Sequence, residues 1–414
     1  MGGSSGPRAP RGGVKGSFGR RPISARSQLE GRQLWRIGDW GGASEQIGRR
    51  WETLGARALS GLLGTPRPGP NGGVYVPRQA VVLVDEPELA AQVHAAGKPH
   101  ADAILVGQAD GRTVLEPVDF KWNLETANPK QVGAEVLGAL LLDPPPLLAQ
   151  RMVDVLDGLP EHDDPLHHDG FFLAPDHADN RAFLSPNRAG GGRAPSRPFG
   201  MGVAPGAFDP SWAELRPVDA AEFFEPLPAW DVACSLASSD GVRPSTVEMS
   251  ERYYRLGAGV LGALRKLDAG IFRDVGNLDG PTALARLRRE RRLTSVGEVI
   301  AYLDRALTAR GELADRLREV ERAAYPFGLF RQHLVDRGIP ATAPGAERRW
   351  GRLYGGVMKD VGSQMRLEGR RLAEAGRSEI QALGELDAAR PRWTAVAVRA
   401  LDAILASRAT AATT

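Results

Sequence analysis

A mixed α/β domain followed by an all-helical domain is the organisation this 414-residue sequence predicts, and three observations predict it. Two apolar runs joined by Asp110-Gly111 read as a β-hairpin, because a two-residue type I′ turn needs φ > 0 at both central positions. From about residue 243 to 408 apolar residues recur at three- and four-residue spacings, the helical period. Between these regions, residues 187–210 are rich in Gly, Pro and Arg and read as a linker or flap. The expected organisation is a basic arm over 1–40, an α/β domain over 41–186, a connecting region over 187–242 and a helical domain over 243–410.

With Asp110 and Gly111 as the turn, the register pairs Asp102 with Asp119 and His100 with Lys121. Side chains alternate faces along a strand, so Asp119 and Lys121 point one way, and Val118 and Phe120 point the other, into apolar surroundings. Two carboxylates and a lysine therefore share one face. Like charges directly opposite each other destabilise a sheet unless a cation lies between them. A hard divalent ion such as Mg²⁺ suits that gap, since it prefers oxygen ligands and binds through one or two carboxylates with water and phosphate. The chain has only six lysines in its 53 basic residues, so a retained lysine at 121 suits a compact ammonium better than a planar guanidinium. Read blandly, Asp119 and Lys121 are a surface ion pair on an ordinary strand.

An Asp, a strand, and then Asp-x-Lys at the end of the next strand resembles the PD-(D/E)xK nuclease superfamily. The resemblance covers residues 43–145 and implies a restriction-endonuclease-like α/β core, a mixed sheet flanked by helices. It implies that Asp102 and Asp119, with the carbonyl of Phe120, ligate Mg²⁺ or Mn²⁺, and that Lys121 orients the attacking water. It also implies a helical acid before the sheet, for which Glu52 in Ile47–Leu59 is the candidate, and a glutamine after it, for which Gln131 is the candidate. Asn128-Pro129 has the form of a helix start, placing Gln131 in the first turn. The sequence departs from the family pattern in two places: Pro117 implies an edge or bulge in the second strand, and Ala101 precedes the first acid where the family has proline. His100, opposite Lys121, is a candidate proton shuttle or a structural neighbour.

Composition limits the remaining classes. No run of 18 apolar residues exists, so no membrane-spanning helix is expected. Cys234 is the single cysteine, which excludes an intrachain disulfide and a four-cysteine iron–sulfur cluster and suggests a reduced, buried thiol in a cytoplasmic protein. Residues 1–40 hold eight basic and two acidic residues without an apolar core, which reads as a disordered arm and not a signal peptide; such an arm either binds nucleic acid or is simply solvated. No G-x-x-x-x-G-K-[ST] motif occurs, so no ATP-driven motor is expected.

Residues 143–240 hold sixteen acidic and six basic residues, and a nucleic-acid path should avoid them. A short helix is expected near 147–158. The group His162, Asp163, Asp164, His167, His168 and Asp169 has no defined zinc spacing and reads as a solvated loop. The runs at Phe171 and Ala182 are expected to be further strands, with Asp176–Asn180 as their turn.

In the C-terminal region, Thr294-Ser295 with Glu298 forms a capping box before Val296, Val299, Ile300, Leu303, Leu307 and Leu313. Gly338 marks a later helix end. A bundle of four to six helices is expected. Arg288, Arg291 and Arg292 would form one face that either grips phosphates or is merely solvated; Arg348, Arg349 and Arg352 form a second basic group. Tyr253, Tyr254, Tyr325 and Phe327 read as core or as base-stacking groups.

The resulting expectation is a Mg²⁺- or Mn²⁺-dependent DNase acting in DNA repair or in defence against foreign DNA. Its catalytic residues would be Asp102, Asp119, Lys121, Glu52 and Gln131. Its nucleic-acid contacts would be Lys130, Arg288, Arg291 and Arg292, and the helical domain would be open to a protein partner or a second copy. RNA stays open as the substrate. The alternatives are an inactive nucleic-acid-binding or assembly protein on the same fold, and a purely structural protein whose acidic middle binds a basic partner.

Overall fold

The computed structural model describes residues 40–97, 100–157, 165–185, 208–272, 279–339 and 346–411. Residues 1–39, His162–Asp164 and 187–207, which carry the basic arm, part of the His/Asp group and most of the linker expectation, lie outside them. The described residues divide into two units. One comprises Gly41–Trp230 with Pro244–Arg255; the other comprises Asp231–Arg243 with Leu256–Thr414.

The first unit is built on a mixed sheet of seven strands: β1 (Arg67–Pro68), β2 (Val74–Val82), β3 (Ala103–Ala109), β4 (Arg112–Phe120), β5 (Leu166–His167), β6 (Phe171–Pro175) and β7 (Ala213–Arg216). The spatial order is β1-β2-β3-β4-β6-β7, with β5 also against β4. Pairing is antiparallel through β4 and parallel beyond it. Asp110 and Gly111 form the expected turn, with φ of 48° and 77°. The hairpin register runs from Ala109↔Arg112 to Ala103↔Val118, so the next step sets Asp102 opposite Asp119.

Pro117 lies in a central strand, which corrects the edge or bulge expected from the sequence. It pairs with Ile104 on one side, while the strand on the other side is interrupted between β5 and β6. β5 meets β4 at Val114 and Leu115, and β6 resumes at Val118, so the residue without an N–H sits at the break. Gly170 lies in that break, and a Cβ there would fall 1.6 Å from the Pro117 carbonyl oxygen.

Helices cover the sheet. Helix α1 (Trp40–Ser60) precedes it, and α2 (Pro87–Ala95), α3 (Ala134–Leu141) and α4 (Pro146–Leu156) bury Leu89, Val93, Leu137, Leu140, Leu148 and Met152 against Ile104, Val106 and Leu115. The run at Ala182 is helical, in α5 (Ala178–Leu184), where a strand was expected. The connecting region also departs from expectation. After residue 207 it holds β7, which extends the sheet parallel to β6, and helices α6 (Ala220–Phe224) and α7 (Trp230–Ser239). Leu215 and Trp212 pack on the cluster of Phe172, Phe183 and Phe208, so apolar burial overrides a composition that resembles a linker.

The sheet curls far enough for the first and last strands in its order to meet. Arg67 of β1 donates to Glu214 of β7 and, through Nε at 3.1 Å, to Glu116 of β4. The Tyr75 hydroxyl donates to the same Glu116 carboxylate, and the Arg67 guanidinium lies 3.9 Å from the centre of the Phe171 ring. Burial pushes the Glu116 carboxyl up to about 7, against the pull of Arg67 and Tyr75.

The second unit is helical. From Val247 onward the chain forms seven helices among the described residues, more than the four to six expected: α8 (Val247–Ala269, shared between units at Arg255), α9 (Gly280–Arg291), α10 (Val296–Ala324), α11 (Phe327–Asp336), α12 (Ala346–Glu374), α13 (Glu379–Ala388) and α14 (Arg390–Ala411). The capping box at Ser295 and Glu298 is formed, Val296, Val299, Ile300 and Leu303 are buried, and Gly338 ends α11 with φ of 71°. Tyr253, Tyr254 and Tyr325 are core residues, and Phe327 stacks on Phe330. Cys234 is half-buried where full burial was expected, and it forms no disulfide. No described helix is long and apolar enough to cross a membrane on its own.

Two outcomes follow. Gly170→Ala forces a methyl into the Pro117 carbonyl and should cost about 2 kcal/mol or more, read as a fall in the urea midpoint. Glu116 binds its proton more tightly folded, near 7, than at its ordinary 4.5. Its contribution is therefore full below pH 4.5 and is lost as pH rises through 7, by at most about 3 kcal/mol. Urea midpoints measured from pH 4.5 to 8 should lose that component of their slope in Glu116→Gln.

Candidate active site

The end of the hairpin sets Asp102, Asp119 and Lys121 together. Asp119 belongs to β4 and is 3 % exposed at its side chain, while the Lys121 side chain, just beyond the strand, keeps 21 %. Lys121 Nζ lies 2.6 Å from Asp119 Oδ2. That oxygen is out of solvent, and the ammonium neutralises it at charge-assisted contact distance. Asp102 stands one residue before β3, and its Oδ2 accepts the Phe120 backbone N–H at 2.7 Å.

Burial, and next the facing charge of Asp119, hold the Asp102 carboxyl well above the usual range. The Phe120 N–H and Lys121 pull the other way without prevailing. Burial works to lower Lys121, but Asp119 foremost, then Asp102 and Glu52, hold it above its ordinary value, so it stays cationic at neutral pH.

Glu52 is a half-buried residue of α1, the helix that Gly55 and Trp51 dock on the sheet. A Cβ at Gly55 would lie 3.1 Å from the Phe120 ring. Trp51 Nε1 donates at 3.0 Å to the Leu173 carbonyl, the same oxygen that accepts the Lys121 backbone N–H at 3.1 Å. One carbonyl of β6 thereby fixes both the lysine backbone and the helix turn bearing Glu52. Among the described residues no three His, Cys, Asp or Glu side chains converge as a metal-holding group. The reach of Glu52 to this site is electrostatic, through Lys121.

The other expected residues divide similarly. Asn128 does cap a turn, its Oδ1 accepting the Lys130 N–H at 3.2 Å, but Pro129–Gln131 is a single 3₁₀ turn and the α-helix starts only at Ala134. Gly133 allows the intervening bend, and the Gln131 side chain is half-buried on the short turn. Lys130 is exposed beside a cavity of about 210 Å³ shared with Glu135, Asp169 and Trp212. The His100 ring lies 4.7 Å from that of His94, edge to face.

In the second unit the expected arginine face is not formed as predicted. α9 ends at Arg291, and Arg292 turns left-handed with φ of 55°, so it leaves the helix face. Arg288 is engaged internally, donating to the Thr294 carbonyl at 3.0 Å, the Leu293 carbonyl at 3.3 Å and the Ser239 hydroxyl. Arg291 lies over the Tyr302 ring at 5.6 Å.

Four residues that support the site were not singled out from the sequence. Trp122, next to Lys121, stacks near Phe223 at 4.4 Å and donates its indole N–H to Glu251 at 3.0 Å. The carbonyl of Trp122 accepts from Asn180 Nδ2 at 3.0 Å and lies 3.0 Å from His177 Nε2. Asn180 Oδ1 accepts the Leu124 N–H at 3.0 Å, and Nδ2 also reaches the Pro175 carbonyl. His177 and Asn180, expected in a surface turn, are buried and fasten the chain that leaves Lys121. Trp51 completes the set, 6.2 Å from Trp122. A Trp directly after the Asp-x-Lys lysine was a usable signal; nothing local marks His177 as a cap.

Replacing Asp102 by Asn should stabilise the metal-free protein by about 1 kcal/mol at pH 8, since it removes a buried charge facing Asp119 and keeps an acceptor for Phe120. Thermal unfolding in EDTA checks this. No family model matches the chain, and neither the curated proteins nor the solved structures compared with it contain a match.

Proposed function

We propose that this chain is a divalent-metal-dependent nuclease whose active site is the end of the β3–β4 hairpin. The observation that carries the reading is the buried carboxylate pair of Asp102 and Asp119, closed by a cationic lysine 2.6 Å from Asp119 Oδ2. Oxygen donors in this arrangement fit Mg²⁺ or Mn²⁺. A mixed sheet, antiparallel through the hairpin and parallel beyond it, with helices on its faces, supports the restriction-endonuclease-like reading of the fold.

Asp102 and Asp119 would hold the cation. When bound, it supplies Lewis-acid stabilisation of the phosphate charge and lowers the pKa of water. Lys121, kept protonated by Asp119, Asp102 and Glu52, acts as a donor that orients the attacking water and offsets the phosphate charge. It is not poised to remove a proton. The Leu173 carbonyl and the His177–Asn180 pair hold the lysine's backbone and the segment after it, so the ammonium is delivered from a fixed frame. DNA is the substrate class we favour, with a role in DNA repair or in defence against foreign DNA.

That no third acidic, His or Cys side chain converges on the carboxylate pair among the described residues favours a second reading, an inactive nucleic-acid-binding protein on the same fold. The readings part in one assay. Linear, circular and single-stranded DNA are incubated with the parent protein and Lys121→Ala, each with Mg²⁺, Mn²⁺ or EDTA. The nuclease reading predicts metal-dependent cleavage that falls by about 100-fold or more in the variant. DNA retention without cleavage under any metal would establish the second reading.

A further inference from the structure

An open groove of about 520 Å³ lies in the helical unit between the end of α8 and the middle of α10. Its lining is Arg265, Lys266 and Ala269 from α8, and Leu307, Arg310, Gly311 and Ala314 from α10. Three cations border an apolar floor, and no carboxylate is among the described lining residues. Asp268, Glu312 and Asp315 each stand next to a lining residue in sequence, but none of them lines the groove; the charge of Asp268 acts on Arg286 of α9, and Asp315 pairs with Arg318.

The cations are not equivalent. Arg310 is half-buried and donates to the Leu267 carbonyl at 3.2 Å and to the Gly270 carbonyl, so it closes the C-terminal end of α8. Arg265 and Lys266 are exposed. Lys266 is one of the chain's six lysines. Gly311 leaves one wall open: a Cβ added there meets nothing within 4 Å.

We infer that this groove is a binding site for the phosphate backbone of nucleic acid. Its volume exceeds what a lone phosphate fills, and its positive border has no internal counter-charge among the described lining residues. No aromatic side chain lines it, so it offers phosphate contacts without base stacking, which makes recognition independent of sequence. The choice of nucleic acid over an acidic protein rests on the proposed nuclease function. The groove supplies the phosphate contact that the expected Arg288–Arg291–Arg292 face does not provide.

The test uses the full chain and labelled duplex DNA in EDTA, with binding measured across a salt series. Arg265→Ala/Lys266→Ala should lower the log–log salt slope by about 2. Gly311→Glu, which meets no neighbour and keeps the helix, should weaken binding by at least ~10-fold, while the equally exposed Arg348→Ala/Arg349→Ala pair should leave the slope within a few tenths of the parent's. Circular dichroism and melting temperatures confirm that each variant is folded. Equal slopes in the parent and both groove variants would overturn the inference. It would also fall if the groove variants kept DNA binding but lost binding of labelled polyglutamate, which would make the occupant an acidic protein. Cleavage is scored separately: a parent that never cleaves yet shows the groove-dependent slope refutes the nuclease reading alone, whereas normal cleavage with an unchanged slope refutes the groove alone.

Discussion

The two-residue turn at Asp110–Gly111 decides where both acids of the site stand. Positive φ at these positions locks the register of β3 against β4, and counting back from the turn brings Asp102 level with Asp119. A slip of one residue would send Asp119 to the opposite face and expose the apolar residues that hold the helices. The cost of opposing two buried carboxylates is thus imposed by the same register that buries Ile104, Val106 and Leu115. One register therefore both buries the core and sets the two acids face to face.

The opposite face of β4 has a second buried carboxylate with a different resolution. Glu116 is satisfied by Arg67 and Tyr75 and joined through Arg67 to Glu214, which closes the curl of the sheet. Asp119 has the Lys121 ammonium beside it and faces Asp102 across the hairpin. The two buried acids of one strand thus differ in their partners: an arginine and a phenol for Glu116, an ammonium and a facing carboxyl for Asp119. The break between β5 and β6 falls where Pro117 cannot donate and Gly170 brings the backbone close.

Local chemistry made the hairpin, the capping box at Ser295 and the helix end at Gly338 legible in the sequence. In each, a turn or cap residue acts on neighbours a few positions away, so no tertiary information is needed. The misread strand and linker involve long-range burial, and the misread arginine face a local helix end. Ala182 and Phe183 have strand-like composition, but Phe183 is held by Phe208, and the run is helical. Leu215 sits in a region resembling a linker, yet it completes a core with Phe172. Arg292 continues a helical spacing, while the chain turns left-handed there and Arg288 is consumed by carbonyls beyond the helix. For the site itself, Asp102, Asp119 and Lys121 followed from register alone. The fastening by Trp51, Leu173, His177 and Asn180 did not, because it joins segments tens of residues apart.

The central claim is that the facing carboxylates form a single divalent-cation site, and direct titration of Mn²⁺ into the metal-free full chain tests it most plainly. Calorimetry or the paramagnetic resonance of unbound Mn²⁺ should find one tight site per chain, displaced by Mg²⁺ and absent in Asp119→Asn, with the variant still folded. Saturable binding that persists unchanged in Asp119→Asn, or no binding by the parent chain, would contradict the account.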